Sequence, residues 1–191
     1  ELISSDLHQR TTDIWANGSA VRIDLFVPDV FAALPGVQAA ARGCGWAISV
    51  DANAQMLLKA KQHGAFALYL DAVSAADGGH FLTSLATQGR AGAKLGVAHL
   101  SVAGAADHRE IKDLLGADPK PTTMHPTAEQ VSKIKKPTPK HTALLFALTP
   151  PTARPVATSK EVRAFADGRT TRKSGAVPLI VVIRTADGAG L

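Results

Sequence analysis

Apolar and polar residues alternate from Val21 to Val27, with Val21, Ile23, Leu25 and Val27 on one side, the period of a half-buried strand. Pro28-Asp29 stops it, and residues 30–42 read as a helix with Pro35 near a first turn and Gly43-Cys44-Gly45 as the terminator. Trp46–Asp51 is predicted as a second strand, and residues 53–63 as a helix capped by Asn53 and closed by Gly64. The pattern then restarts. Ala65–Asp71 reads as a strand, and Ser74-Ala75-Ala76-Asp77 has capping-box spacing for a helix running to about residue 88. A glycine-bearing loop at 89–96 leads to a strand at Val97–Ala103, and Asp107 with Glu110 opens a helix that Gly116 ends.

Further on, Thr142–Thr149 is an almost wholly apolar strand. Thr158-Ser159-Lys160-Glu161 opens a helix ending at Gly168, and residues 177–184 form the last strand, with Pro178 confined to its start. Two continuously apolar strands imply burial on both faces of a sheet, hence helices on both sides. The expected architecture is α/β: one domain, a roughly six-stranded parallel or mixed sheet, helices on both faces. The alternating first strand favours a mixed sheet. Ile48-Ser49-Val50 with Gly64 and Leu100-Ser101-Val102 with Gly116 are both offset by 52 residues, which suggests an internal βαβα duplication. The chain divides into an N-terminal arm (1–19) that packs through Ile14 and Trp15 or stays loose, two βαβα-like units (20–116), a Pro/Lys-rich linker or crossover (117–141), and a βαβ-like unit completing the same domain (142–191).

Composition narrows the class. At 191 residues the chain can bury a full core without a disulfide or metal staple. With 46% hydrophobic and 19% charged residues it is not a disordered sequence. No apolar run approaches the length of a membrane-spanning helix, and the single Cys44 excludes an intramolecular disulfide or a multi-cysteine metal site. The chain begins at Glu1, so an upstream secretory signal or preceding domain is expected, and the compartment leans towards extracytoplasmic, periplasmic or secreted. Abundant alanine points to a bacterial source.

Charge is unevenly spread. Residues 1–118 hold 9 Lys and Arg against 12 Asp and Glu, whereas residues 119–191 hold 12 against 4. The basic second part invites an anionic partner or forms a solvated basic face. Its candidate anion-binding residues are Lys133, Lys135, Lys136, Arg154, Lys160, Arg163, Arg169, Arg172 and Lys173. Aromatic residues for base stacking are not interleaved with them, so contact would be with phosphates and blind to sequence.

Asp29, Asp51 and Asp71 each follow a predicted strand. Parallel strands would bring all three to one carboxyl edge, where they could serve acid–base or Mg²⁺ chemistry, or act as local caps. The loop from Gly89 to Gly96 leads from helix to strand, the wrong polarity for a phosphate cradle, and lacks the Gly-Lys-Ser/Thr ending. The seven histidines show no metal-ligand spacing, and no nucleophile elbow occurs. No cofactor or metal is expected. The expected function is a non-catalytic binding or interaction module within a larger envelope-associated protein, its partner another protein or an anionic polymer. The alternatives are non-specific binding of nucleic acid or polysaccharide through the basic part, and a metal-assisted enzyme using the strand-end carboxylates.

Overall fold

A computed structural model describes Trp15 and residues 20–90, 97–102, 109, 111–113, 141–168 and 175–185. The chain is an α/β protein built on a single mixed sheet. In chain order the elements are β1 (Val21–Val27), α1 (Val30–Gly43), β2 (Trp46–Val50), α2 (Ala52–Ala60), β3 (Phe66–Ser74), α3 (Ala75–Arg90) and β4 (Val97–Val102). Then come β5 (His141–Ala147), a single 3₁₀ turn (Pro151–Ala153), α4 (Lys160–Asp167) and β6 (Ala176–Thr185). The sheet order is β2-β5-β3-β6-β1-β4. β1 runs parallel to β6 and β2 parallel to β5, while β3 is antiparallel to both β5 and β6, and β4 is antiparallel to β1.

The two late, largely apolar strands insert into the interior of this order, where side chains on both faces must leave water. On one face Leu145, Val181 and Ile183 join Ile23, Leu25 and Leu68 under Val30, Leu34 and Val37 of α1. On the other, Leu144, Phe146, Ile180 and Val182 join Tyr69 beneath Val162 and Phe165 of α4, with Ile111. Helices therefore cover both faces. Pro178, which has no N–H for a ladder, lies opposite the irregularity in β3 between Leu70 and Val73. There the strand takes three residues to pass two, so the bulge absorbs the missing donor.

Local signals place most boundaries. Ser74 Oγ accepts from the Asp77 N–H (3.1 Å) and donates to Asp77 Oδ2 (2.8 Å), closing the predicted capping box. Ser159 accepts from the Val162 N–H at the start of α4. Other expectations need correction. The cap of α2 is Asp51, not Asn53, and Lys61 in the left-handed region closes that helix, not Gly64. β3 continues to Ser74 instead of ending at Asp71, because the bulge restores Val73 to the core face. Trp15 is 1% exposed and donates its indole N–H to the Val73 carbonyl at 3.0 Å.

The 52-residue repeat is not reproduced in the topology. β2 and β4 lie at opposite edges, one parallel and the other antiparallel to its neighbour. Gly116 lies outside the described residues, as do most of the Pro/Lys-rich stretch 117–141, Ile14 and the loop residues 91–96.

Candidate functional site

The first face of β1 carries Val21, Ile23, Leu25 and Val27 into the core below α1. By the strand period of two, Arg22, Asp24 and Phe26 face the other way. Parallel β6 brings Arg184 level with Phe26 and Val182 level with Asp24. Asp24, only 6% exposed, is the hub of this group. Arg22 donates to it from Nε (2.8 Å to Oδ2) and Nη2 (3.0 Å to Oδ1), a two-point fork. Arg184 adds Nη2 at 3.2 Å from Oδ1, and its guanidinium carbon sits 4.6 Å from the centre of the Phe26 ring. Arg184 Nε is buried and has no hydrogen-bond partner among the described residues.

A cleft of about 530 Å³ opens over Arg22, Arg184 and Val182, inside the 300–1,000 Å³ range of small-molecule sites. Its upper walls come from the turn into α1 (Pro28 to Phe31), the entry to β3 (His63 to Ala65), and the exit from β5 (Leu148, Thr149) with Arg154. These walls are tied to each other. Leu148 N–H donates to the Ala65 carbonyl at 2.8 Å, and Ala65 N–H donates to Thr149 Oγ1 at 2.7 Å. A Cβ on Gly64 would stand 2.5 Å from the Thr149 carbonyl oxygen, so this approach requires glycine. Arg154 is fixed by Nε donation to the Leu148 carbonyl (3.0 Å), and its own carbonyl accepts from Asn53 Nδ2 (3.4 Å). The cleft thus sits at the carboxyl ends of β1, β5 and β6, the edge at which α/β sheets receive ligands.

Three guanidinium groups line this space, and two carboxylates lie at or beside it. Asp24 is shared by two of the arginines, and Asp29 Oδ1 accepts from the Phe31 and Ala32 N–H groups at the start of α1. The lining is therefore cationic, and guanidinium forks suit carboxylate and phosphate oxygens. Pro28, Val30, Leu148 and Val182 supply apolar surface, and the Phe31 and His63 rings meet at 6.3 Å on the rim.

The carboxylates singled out in the sequence do not converge. Asp29 caps α1, and Asp51, 1% exposed, caps α2 by accepting from the Asn53 N–H (3.0 Å) and Ala54 N–H (3.4 Å). Asp71 lies within β3, which runs against the direction of β1 and β5, and accepts from the Tyr69 hydroxyl at 2.7 Å. Level with the start of β1, it stands roughly 20 Å from the edge that carries Asp29, six steps at about 3.3 Å. Among the described residues no group of three or more His, Cys, Asp or Glu is placed to hold a metal ion. Of the basic set, Arg154 lines the cleft, Lys160 and Arg163 are exposed on α4, and Lys133, Lys135, Lys136, Arg169, Arg172 and Lys173 lie outside the described residues. Sequence reasoning missed Arg22, Asp24 and Arg184. Their signal was the polar stripe of an otherwise core strand, which marked a strand but not a site.

Comparison with protein-family models, curated proteins and solved structures finds no significant match for this chain. No helix of the described residues is long and apolar enough to cross a membrane.

Proposed function

We propose that this chain is a non-catalytic binding module whose ligand is a small anion held in the arginine-lined cleft. One observation carries the reading: Arg22, Arg154 and Arg184 line a single cleft of ligand size, and each is held by a defined contact. Preorganised cations lose less side-chain freedom on binding than mobile surface lysines do. The groups lining the cleft are binding groups. The Thr149 hydroxyl is engaged with the Ala65 N–H and the Asp29 carboxylate with the first turn of α1, which leaves guanidinium and apolar contacts to meet a ligand. The enzyme alternative loses support because its three aspartates sit on separate elements at two ends of the sheet. Polyanion binding through α4 draws on Lys160 and Arg163, but Glu161 and Asp167 share that helix and dilute its field.

Calorimetric titration at low ionic strength with phosphate, sulfate, a phosphomonoester and a dicarboxylate tests the proposal. At least one should bind with 1:1 stoichiometry, and Arg154→Gln should weaken it about tenfold or more, the worth of a charged hydrogen bond. Heparin binding that collapses with salt, with no small anion bound at millimolar concentration, would transfer the function to the surface.

A further inference from the structure

We propose that the ligand of the cleft is a monocarboxylic acid with an apolar body, its carboxylate on the arginines and its body on Pro28, Phe31 and Leu148. The inference rests on the anion-binding reading above and adds the charge and the chemical class of the ligand.

Charge sets the head group. Arg22, Arg154 and Arg184 line the cleft with Asp29, and Asp24 pairs with Arg22 at 2.8 Å and Arg184 at 3.2 Å. Three guanidiniums against two carboxylates leave one formal positive charge among the described residues of the site. Arg22 and Arg184 keep 26% and 36% of their side-chain surface exposed, whereas Asp24 keeps 8% and is absent from the lining. The cations, and not Asp24, therefore meet an incoming ligand. One negative charge is matched there. A second would give up water with no cation left to pair it, which is costly. Sulfate and dicarboxylates carry two charges near neutral pH, and a phosphomonoester carries about −1.5 to −2. A carboxylate carries one, and Asp24 shows that one carboxylate can engage two guanidiniums in this setting.

Apolar surface sets the body. The volume of about 530 Å³ exceeds what a carboxylate group alone fills. Pro28 is exposed at the lip, and Phe31 and Leu148 are half-buried, so all three keep apolar surface open to water. Val30 and Val182 line the same cleft but are already buried, and so gain little from a ligand. An alkyl or aryl body laid on the first three removes apolar surface from water. Each methylene covered is worth up to about 0.8 kcal/mol, a rise in affinity of about two- to fourfold depending on how fully it is covered.

The test is titration of the whole chain at low ionic strength with acetate, butanoate, hexanoate, succinate, sulfate and hexanol, followed by NMR chemical shifts. Affinity should climb about two- to fourfold per methylene from acetate to hexanoate. Hexanol, which has the same body without the charge, should bind at least about tenfold more weakly than hexanoate. Butanoate should bind more tightly than succinate or sulfate. Phe31→Ala should weaken hexanoate at least about threefold while leaving acetate unchanged. Far-UV circular dichroism confirms that the variant folds, and the chain-length series on the wild type carries the test if it does not. An affinity that does not rise with chain length would overturn the apolar body. Tighter binding of succinate or sulfate than of butanoate would overturn the single charge. Either result leaves the anion-binding module intact. No binding by any anion, or hexanol binding as tightly as hexanoate, would overturn both.

Discussion

Replacing Gly78 by alanine should destabilise this protein, although the same change in an open helix stabilises it. Gly78 lies in the second turn of α3, where alanine is favoured by up to about 1 kcal/mol on helix propensity. A Cβ there would collide with Trp15 Cζ2 and stand 2.7 Å and 2.9 Å from Cη2 and Cε2, all below van der Waals contact. The indole cannot simply slide, because its Nε1–H is held by the Val73 carbonyl and its ring is 1% exposed. Expelling a buried tryptophan forfeits about 3–5 kcal/mol, so after the propensity gain Gly78→Ala should cost about 2–4 kcal/mol. Trp15→Ala should cost about 3–5 kcal/mol by itself. In the Trp15→Ala background the obstruction is gone, and Gly78→Ala should turn stabilising by up to about 1 kcal/mol. The measurement is a double-mutant cycle by guanidinium unfolding followed by far-UV circular dichroism, with slopes checked for constancy. Equal penalties for Gly78→Ala in both backgrounds, or a gain in the wild type, would refute the packing of Trp15 on Gly78.

Asp51→Ala should cost about 1–2 kcal/mol and Asp29→Ala about 0.5–1 kcal/mol in the same unfolding assay, because both cap a helix but only Asp51 is buried. An equal cost for the two would count against the difference in burial. Gly64→Ala forces its new methyl against the Thr149 carbonyl, a backbone atom, and should destabilise by roughly 1–3 kcal/mol while weakening anion binding in the cleft; a neutral effect on both readouts would contradict the close approach.

What the sequence revealed follows from the range of the interactions involved. Caps are local: the Ser74–Asp77 box and the stop at Gly43-Cys44-Gly45 depend on neighbours within four residues and were readable as such. The doubly buried character of β5 and β6 was equally readable, since an unbroken apolar run has few other uses at that length. Strand order was not, because nothing local to His141–Ala147 states that it slots between β2 and β3. That insertion decided the site. With β3 reversed, Asp71 moved to the far end of the sheet and the supposed trio of carboxylates dissolved. The 52-residue repeat is not reproduced in the strand order for a related reason: strands of similar spelling suit an edge position at either end of a sheet, whichever way they run. Asp71 misled in a second way. An aspartate after Tyr69-Leu70 reads as a strand end, whereas here it accepts from the Tyr69 hydroxyl beside a bulge.

The Arg22–Asp24–Arg184 group carries most of the functional argument because it is poorly explained by stability. Burying a carboxylate between two guanidiniums removes three charges from part of their water, and the mutual attraction seldom does better than apolar residues of equal volume. β1 and β6 are otherwise built mostly of valine, isoleucine and leucine, and the opposite face of the same strands shows that apolar packing is available to them. An apolar trio at these positions would have completed the second core beside Ile180 and Val182. The polar group instead interrupts that core at the carboxyl end of the sheet, under a cleft, with one guanidinium nitrogen still lacking an acceptor among the described residues. A network with one donor unmet is worse for folding than either a complete network or none. The proposed anion-binding reading gives this placement a reason, since it sets guanidinium groups where the cleft opens.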